Sequence, residues 1–118
     1  MFCLLLPATA GAAETTAHIV VQNSPLAGFR YYDGRGVLAD MKIGDRLELV
    51  AEPDNPHDAS AVRVQWRGHV LGYVPRAENA TVSRQLARGA PLEARVTHLR
   101  ENRNRSVRLR FEVVAPLH

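Results

Sequence analysis

The sequence predicts a mainly β fold, a small antiparallel barrel with one or two short helices. Three observations predict it. Many short runs alternate apolar with polar residues, turn formers punctuate those runs, and only residues 76–88 show helical spacing. At 118 residues, 46% hydrophobic and 23% charged, the chain has ordinary globular composition and suffices for one domain with a real core.

In order, Thr15-Thr-Ala-His-Ile-Val-Val-Gln22 is rich in β-branched residues and stops at the turn formers Asn23-Ser-Pro25. In Gly28-Phe-Arg-Tyr-Tyr-Asp-Gly34 aromatics alternate with polar residues before an Asp-Gly turn. Lys42-Ile-Gly-Asp45 is a further turn that launches Arg46-Leu-Glu-Leu-Val-Ala51, a half-buried strand with Leu47 and Leu49 on one face. Ala61–Trp66 and His69–Val74 alternate around Arg67-Gly68, which marks a hairpin, and Pro75 ends its second strand for want of an N–H. Ala80, Val82, Leu86 and Ala87 give residues 76–88 an apolar helical face, with Gly89 placed for the left-handed residue that follows a helix. Two alternating strands, Pro91–His98 and Ser106–Val114, finish the chain around a polar loop at Glu101–Arg105. Val107, Leu109, Phe111 and Val113 are assigned to the core.

Residues 1–14 read either as a truncated signal-peptide remnant or as a disordered tail. A short apolar run precedes small-x-small patterns at Ala10–Ala12 and Gly11–Ala13, but no positive segment comes first. Export would place the domain in the periplasm or outside the cell; without export it is cytoplasmic. No stretch is long and apolar enough to span a bilayer as a helix.

The formal net charge is +3, and fourteen of the fifteen basic residues are Arg. A planar guanidinium suits phosphate and carboxylate partners, although genomic base composition explains the same bias. The charge is uneven: residues 95–118 hold six basic and two acidic side chains, residues 14–75 six and eight. This places a local basic footprint at the C-terminal end.

Enzymatic classes find little support. The sequence has no Gly-x-x-x-x-Gly-Lys phosphate loop and no Gly-x-Ser-x-Gly nucleophile turn. The five histidines lack metal-ligand spacing, and the single cysteine, Cys3, excludes an internal disulfide and a cysteine-based zinc site. His57 and Asp58 are adjacent in sequence, which rarely lets two side chains work on one proton, and no third group is evident. No catalytic residue, metal or cofactor is expected.

The densest polar segment is Glu52-Pro-Asp-Asn-Pro-His-Asp-Ala-Ser-Ala-Val62. Turn chemistry alone accounts for much of it, since Asp58 is placed to form an Asx turn or a cap near Ser60, and Asn55-Pro56 to shape the loop. Tyr31, Tyr32 and Tyr73 read equally as barrel residues, most strongly Tyr32, and Trp66 as a core or rim side chain. Arg100, Arg103 and Arg105 read first as a solvated surface.

Taken with Gly28-Phe-Arg-Tyr-Tyr32, Gly44-Asp-Arg-Leu-Glu-Leu49 and Leu71-Gly-Tyr-Val-Pro-Arg76, that segment resembles the HIRAN domain in order and spacing, over about residues 16–115. The resemblance implies a modified OB-like β-barrel that captures the 3′-hydroxyl end of single-stranded DNA. By position it implies DNA contacts at Arg30, Tyr31, Asn55, Asp58, Tyr73 and Arg76, with Asp58 accepting from the terminal hydroxyl. His57 stands where the family has a stacking aromatic, and its smaller ring stacks more weakly. With no motor of its own, such a module would depend on a helicase or nuclease partner acting in trans, as in DNA repair. The alternative expectation is an exported barrel of the same fold that binds a non-DNA anionic or protein ligand.

Overall fold

The computed structural model describes residues 17–116; the expectation for residues 1–14 falls outside them. The elements in order are β1 (His18–Pro25), a 3-10 turn (Phe29–Tyr31), α1 (Gly34–Val37), a second 3-10 turn (Leu38–Asp40), β2 (Arg46–Ala51), β3 (Val62–Trp66), β4 (His69–Tyr73), a third 3-10 turn (Arg76–Glu78), α2 (Ala80–Ala87), β5 (Glu93–Glu101) and β6 (Val107–Pro116). Six antiparallel strands form one curled sheet in the order β1-β6-β5-β2-β3-β4. The expected mainly β architecture is present, but the ladder does not run all the way round. Between the edge strands, Ala27 and Tyr73 exchange a single pair of backbone hydrogen bonds, both 2.9 Å.

The alternation read in the sequence places the core. Leu47, Val62, Val64, Leu71, Val96, Phe111 and Val113 are all buried in one cluster, and α2 adds Val82 to it. Trp66 belongs to this core, with its indole N–H donating to Asp45 at 3.1 Å. Arg67 and Gly68, both at positive φ, make the tight turn between β3 and β4. Gly89, at φ 82, lies just beyond the end of α2, where a left-handed residue costs glycine no Cβ clash.

Three expectations change. β1 does not stop at Asn23 but runs through Pro25, because Asn23, Ser24 and Pro25 pair with Glu112, Phe111 and Arg110 of β6. Pro25 is tolerated there because β1 is an edge strand. The Gly28–Gly34 run, read as alternating, forms a 3-10 turn leading into α1, and short helical turns continue to Asp40. Phe29 anchors it by burying its ring against Gly34, where a Cβ would lie 2.2 Å from that ring. The expected 76–88 helix is also divided, a 3-10 turn preceding α2.

Candidate nucleic-acid interface

The Glu52–Ala61 loop joins β2 to β3 and is built from consecutive turns. Asn55 N–H donates to the Glu52 carbonyl (3.0 Å), Asp58 N–H to that of Asn55 (3.3 Å), and Ala61 N–H to that of Asp58 (3.0 Å). The two polar side chains reinforce these turns. Asn55 Oδ1 accepts from His57 N–H at 2.8 Å and Asp58 Oδ1 from Ser60 N–H at 2.9 Å, so both are Asx turns. The turn-forming reading of Asp58 and Asn55 is therefore present in the molecule.

Glu52 and Asp58 also reach across the fold. Glu52 Oε1 accepts from Asn55 Nδ2 (3.0 Å) and from the Tyr73 hydroxyl (2.9 Å), while Oε2 pairs with Arg63 at 2.6 Å. Burial pushes the Glu52 pKa up, but the Asn55, Tyr73 and Arg63 donors outweigh it and hold the value below the ordinary 4.5. The Tyr73 hydroxyl moves the other way, raised by burial and then by donating to that carboxylate. Asp58 Oδ2 accepts from Asn79 Nδ2 at 2.8 Å and lies 3.6 Å from Arg76 Nε. The Asn79 amide and then the Ser60 N–H hold the Asp58 carboxyl below its usual 3.8. Arg76 also donates to the His57 carbonyl.

This loop, β4 and the start of α2 enclose a cleft of about 320 Å³. Asn55, His57, Asp58, Tyr73 and Arg76, five of the residues singled out in the sequence, line it together. The His57 side chain is exposed, and its backbone N–H and carbonyl are already engaged, leaving its ring at the cleft rim. Arg30 and Tyr31 do not line this cleft. They flank a neighbouring one of about 340 Å³ with Gly28, Phe29, Arg35 and Ser106. Arg30 lies over the Tyr31 ring at 4.9 Å from its centroid and donates to its hydroxyl at 2.7 Å, and Tyr31 is 69% exposed.

Two lining residues were not singled out. Tyr32, read as structural, faces the first cleft and packs its ring 5.7 Å from that of Tyr73, while 41% exposed. Asn79 is buried before α2, a position where asparagine ordinarily caps the helix. Its amide goes instead to Asp58, a pairing across twenty-one residues that no local pattern signals. Ala27 and Tyr32 line the first cleft and Leu26, Gly28 and Tyr31 the second, so one short segment separates them.

No histidine, cysteine or carboxylate cluster of metal-binding geometry occurs among the described residues, and none of their helices is long and apolar enough to cross a membrane.

Comparison with known proteins bears on the whole assembly. A crystal structure of a protein from Lactobacillus plantarum is similar with a TM-score of 0.75 at 24% identity, covering 88% of this chain and 100% of that one. The crystal structure of the HIRAN domain of human HLTF is similar with a TM-score of 0.66 at 17% identity, covering 84% of this chain and 78% of that one. At these identities the two likenesses establish the fold. No curated protein matches significantly. The family model of the HIRAN domain matches residues 19–118, and on that match this chain belongs to the HIRAN family.

Proposed function

We propose that this domain binds nucleic acid and receives the 3′-hydroxyl end of a single DNA strand in the cleft formed by Asn55, His57, Asp58, Tyr73 and Arg76. Membership of a family whose domains are generally nucleic-acid-binding modules supports the class of ligand. The observation that carries the finer reading is the Asp58 carboxylate, fixed by Ser60 and Asn79 beside Arg76 in a cleft lined by aromatic rings. An ionised carboxylate is acceptor-only with about four lone-pair sites, and the Ser60 and Asn79 donors occupy two of them. The remainder accept from a terminal hydroxyl, whereas a terminal phosphate at the same position is repelled.

The other residues have separate tasks in this reading. Tyr32, Tyr73 and His57 offer ring surface to the last base, and because the Tyr73 hydroxyl proton is committed to Glu52, Tyr73 has no donor left for the ligand. Arg76 meets a phosphate, and Asn55 shapes the loop while keeping one amide hydrogen for the ligand. Arg30 and Tyr31 take the adjoining phosphate and base across the partition between the clefts. Chemistry on the strand falls to a partner.

Fluorescence anisotropy with matched single strands ending in 3′-hydroxyl or 3′-phosphate tests this. Clearly weaker binding of the phosphate-ended strand is expected. Equal affinity for both would remove the end-capture reading, and no binding of either at low salt would remove nucleic-acid binding itself.

A further inference from the structure

Cross-strand register places like charges face to face on the outer side of the sheet. Arg100 of β5 stands directly opposite Arg108 of β6, and Arg110 lies further along the same face, opposite His98. Two guanidiniums facing each other repel, and opposite charges are the favourable pairing there. Arg100 and Arg108 are exposed, and neither forms a salt bridge among the described residues. Arg110 is held by the Asn23 side chain at 3.0 Å, which aims its guanidinium without neutralising it. Packing does not account for Arg100 and Arg108, since both point away from the core strip of Leu99, Leu109 and Phe111.

The grooves connect this patch to the proposed end-binding site. The Arg30–Tyr31 cleft is bounded by Leu26 and Val107, and these two residues also line a smaller groove with Arg108 and Arg110. The Arg30–Tyr31 cleft therefore adjoins the β6 groove directly, and the Asp58 cleft lies on the other side of the short segment that carries Ala27 and Tyr32.

We propose that the outer face of the β5–β6 hairpin, through Arg100, Arg108 and Arg110, is a phosphate-tracking site for the body of the strand whose 3′ end sits in the Asp58 cleft. The inference rests on the end-binding reading above and adds to it a polarity: the strand leaves toward β6 with its 5′ direction over the hairpin. A phosphodiester between the opposed guanidiniums relieves their repulsion, so the patch gains from binding what it costs in the free chain.

The test uses the whole chain and two hydroxyl-ended oligothymidines, one of about three nucleotides and one of about twelve, inside the ~4–16 nucleotide span of OB-type sites. Wild type is expected to bind the longer strand more tightly and with a steeper salt dependence. Arg100→Gln/Arg108→Gln should weaken the long strand by more than about fivefold and flatten its log–log salt slope by about 1.4, the loss of two phosphate contacts at ~0.7 each. The short strand should be unaffected. Arg100→Lys/Arg108→Lys keeps both charges and should retain the wild-type slope, which also covers a glutamine variant that fails to fold. Equal loss for short and long strands, or no loss for either, overturns the tracking site while leaving end capture standing. If wild type binds neither strand, the end-binding reading itself fails and this inference with it.

Discussion

Glu52 accepts hydrogen bonds from Asn55, Tyr73 and Arg63 while its side chain is only 19% exposed. It ties the loop to β3 and β4, so its removal leaves three donors unmatched. Glu52→Ala is expected to cost about 2–3 kcal/mol in urea unfolding at neutral pH, given the worth of hydrogen bonds to a charged group. The pH dependence has a definite sign. A carboxyl whose folded pKa lies below its ordinary 4.5 stabilises the fold fully above that value, and the contribution is lost as pH falls through the folded one. The gap between wild type and Glu52→Ala should therefore narrow on acidification, and a gap that widens would show that Glu52 is not held ionised. Tyr31 presents the opposite case, exposed and outside the core. Tyr31→Ala should leave the unfolding midpoint within about 0.5 kcal/mol of wild type while single-strand binding falls by about 1–3 kcal/mol, the worth of one stacked base. A large stability loss with unchanged binding would make Tyr31 structural. For Asp58, which both turns the loop and faces the cleft, Asp58→Asn preserves an acceptor for Ser60 but replaces the carboxylate. It should erase the discrimination between hydroxyl and phosphate ends in anisotropy; retained discrimination would mean another group reads the end.

At the scale of elements, β4 depends on one position. Gly72 lies where a Cβ would sit 2.2 Å from the Ala27 carbonyl oxygen, and that oxygen accepts the Tyr73 N–H. Gly72→Ala must push the Ala27 segment away, and about 2–3 kcal/mol of destabilisation is expected from the forced backbone shift. The accompanying sign is loss of the Ala27 and Tyr73 amide protection in hydrogen exchange; intact protection would show that the two segments accommodate the methyl without parting. Legibility in the sequence also differs by element. β2, β3, β4, β5 and β6 could be read because each has one buried face, and alternation is then the direct imprint of the pleat. The 29–40 segment could not, because 3-10 and single-turn helices are too short to show a period, and what holds them is Phe29 closing on Gly34. Asn23–Pro25 was hidden for another reason. Its local chemistry is that of a turn, and pairing with β6 overrides it.

Over the whole molecule, five residues read from the loop and from Leu71–Arg76 come together in one cleft, whereas Arg30 and Tyr31 stand across a partition from them. Motif spacing carries the first result, since the loop and β4 flank the same hairpin strand β3. The partition, the turn of Tyr32 toward Tyr73 and the capture of Asp58 by Asn79 depend on tertiary approach, to which a linear pattern is blind. The lone pair of bonds between Ala27 and Tyr73 has a consequence at this scale. It joins β4 to the segment that separates the two clefts, so parting of these two bonds would open the sheet and widen the Asp58 cleft together. A base wedged between Tyr32 and Tyr73 would register at those two amides as a change in opening rate. Read that way, the seam is a strain gauge built into the domain.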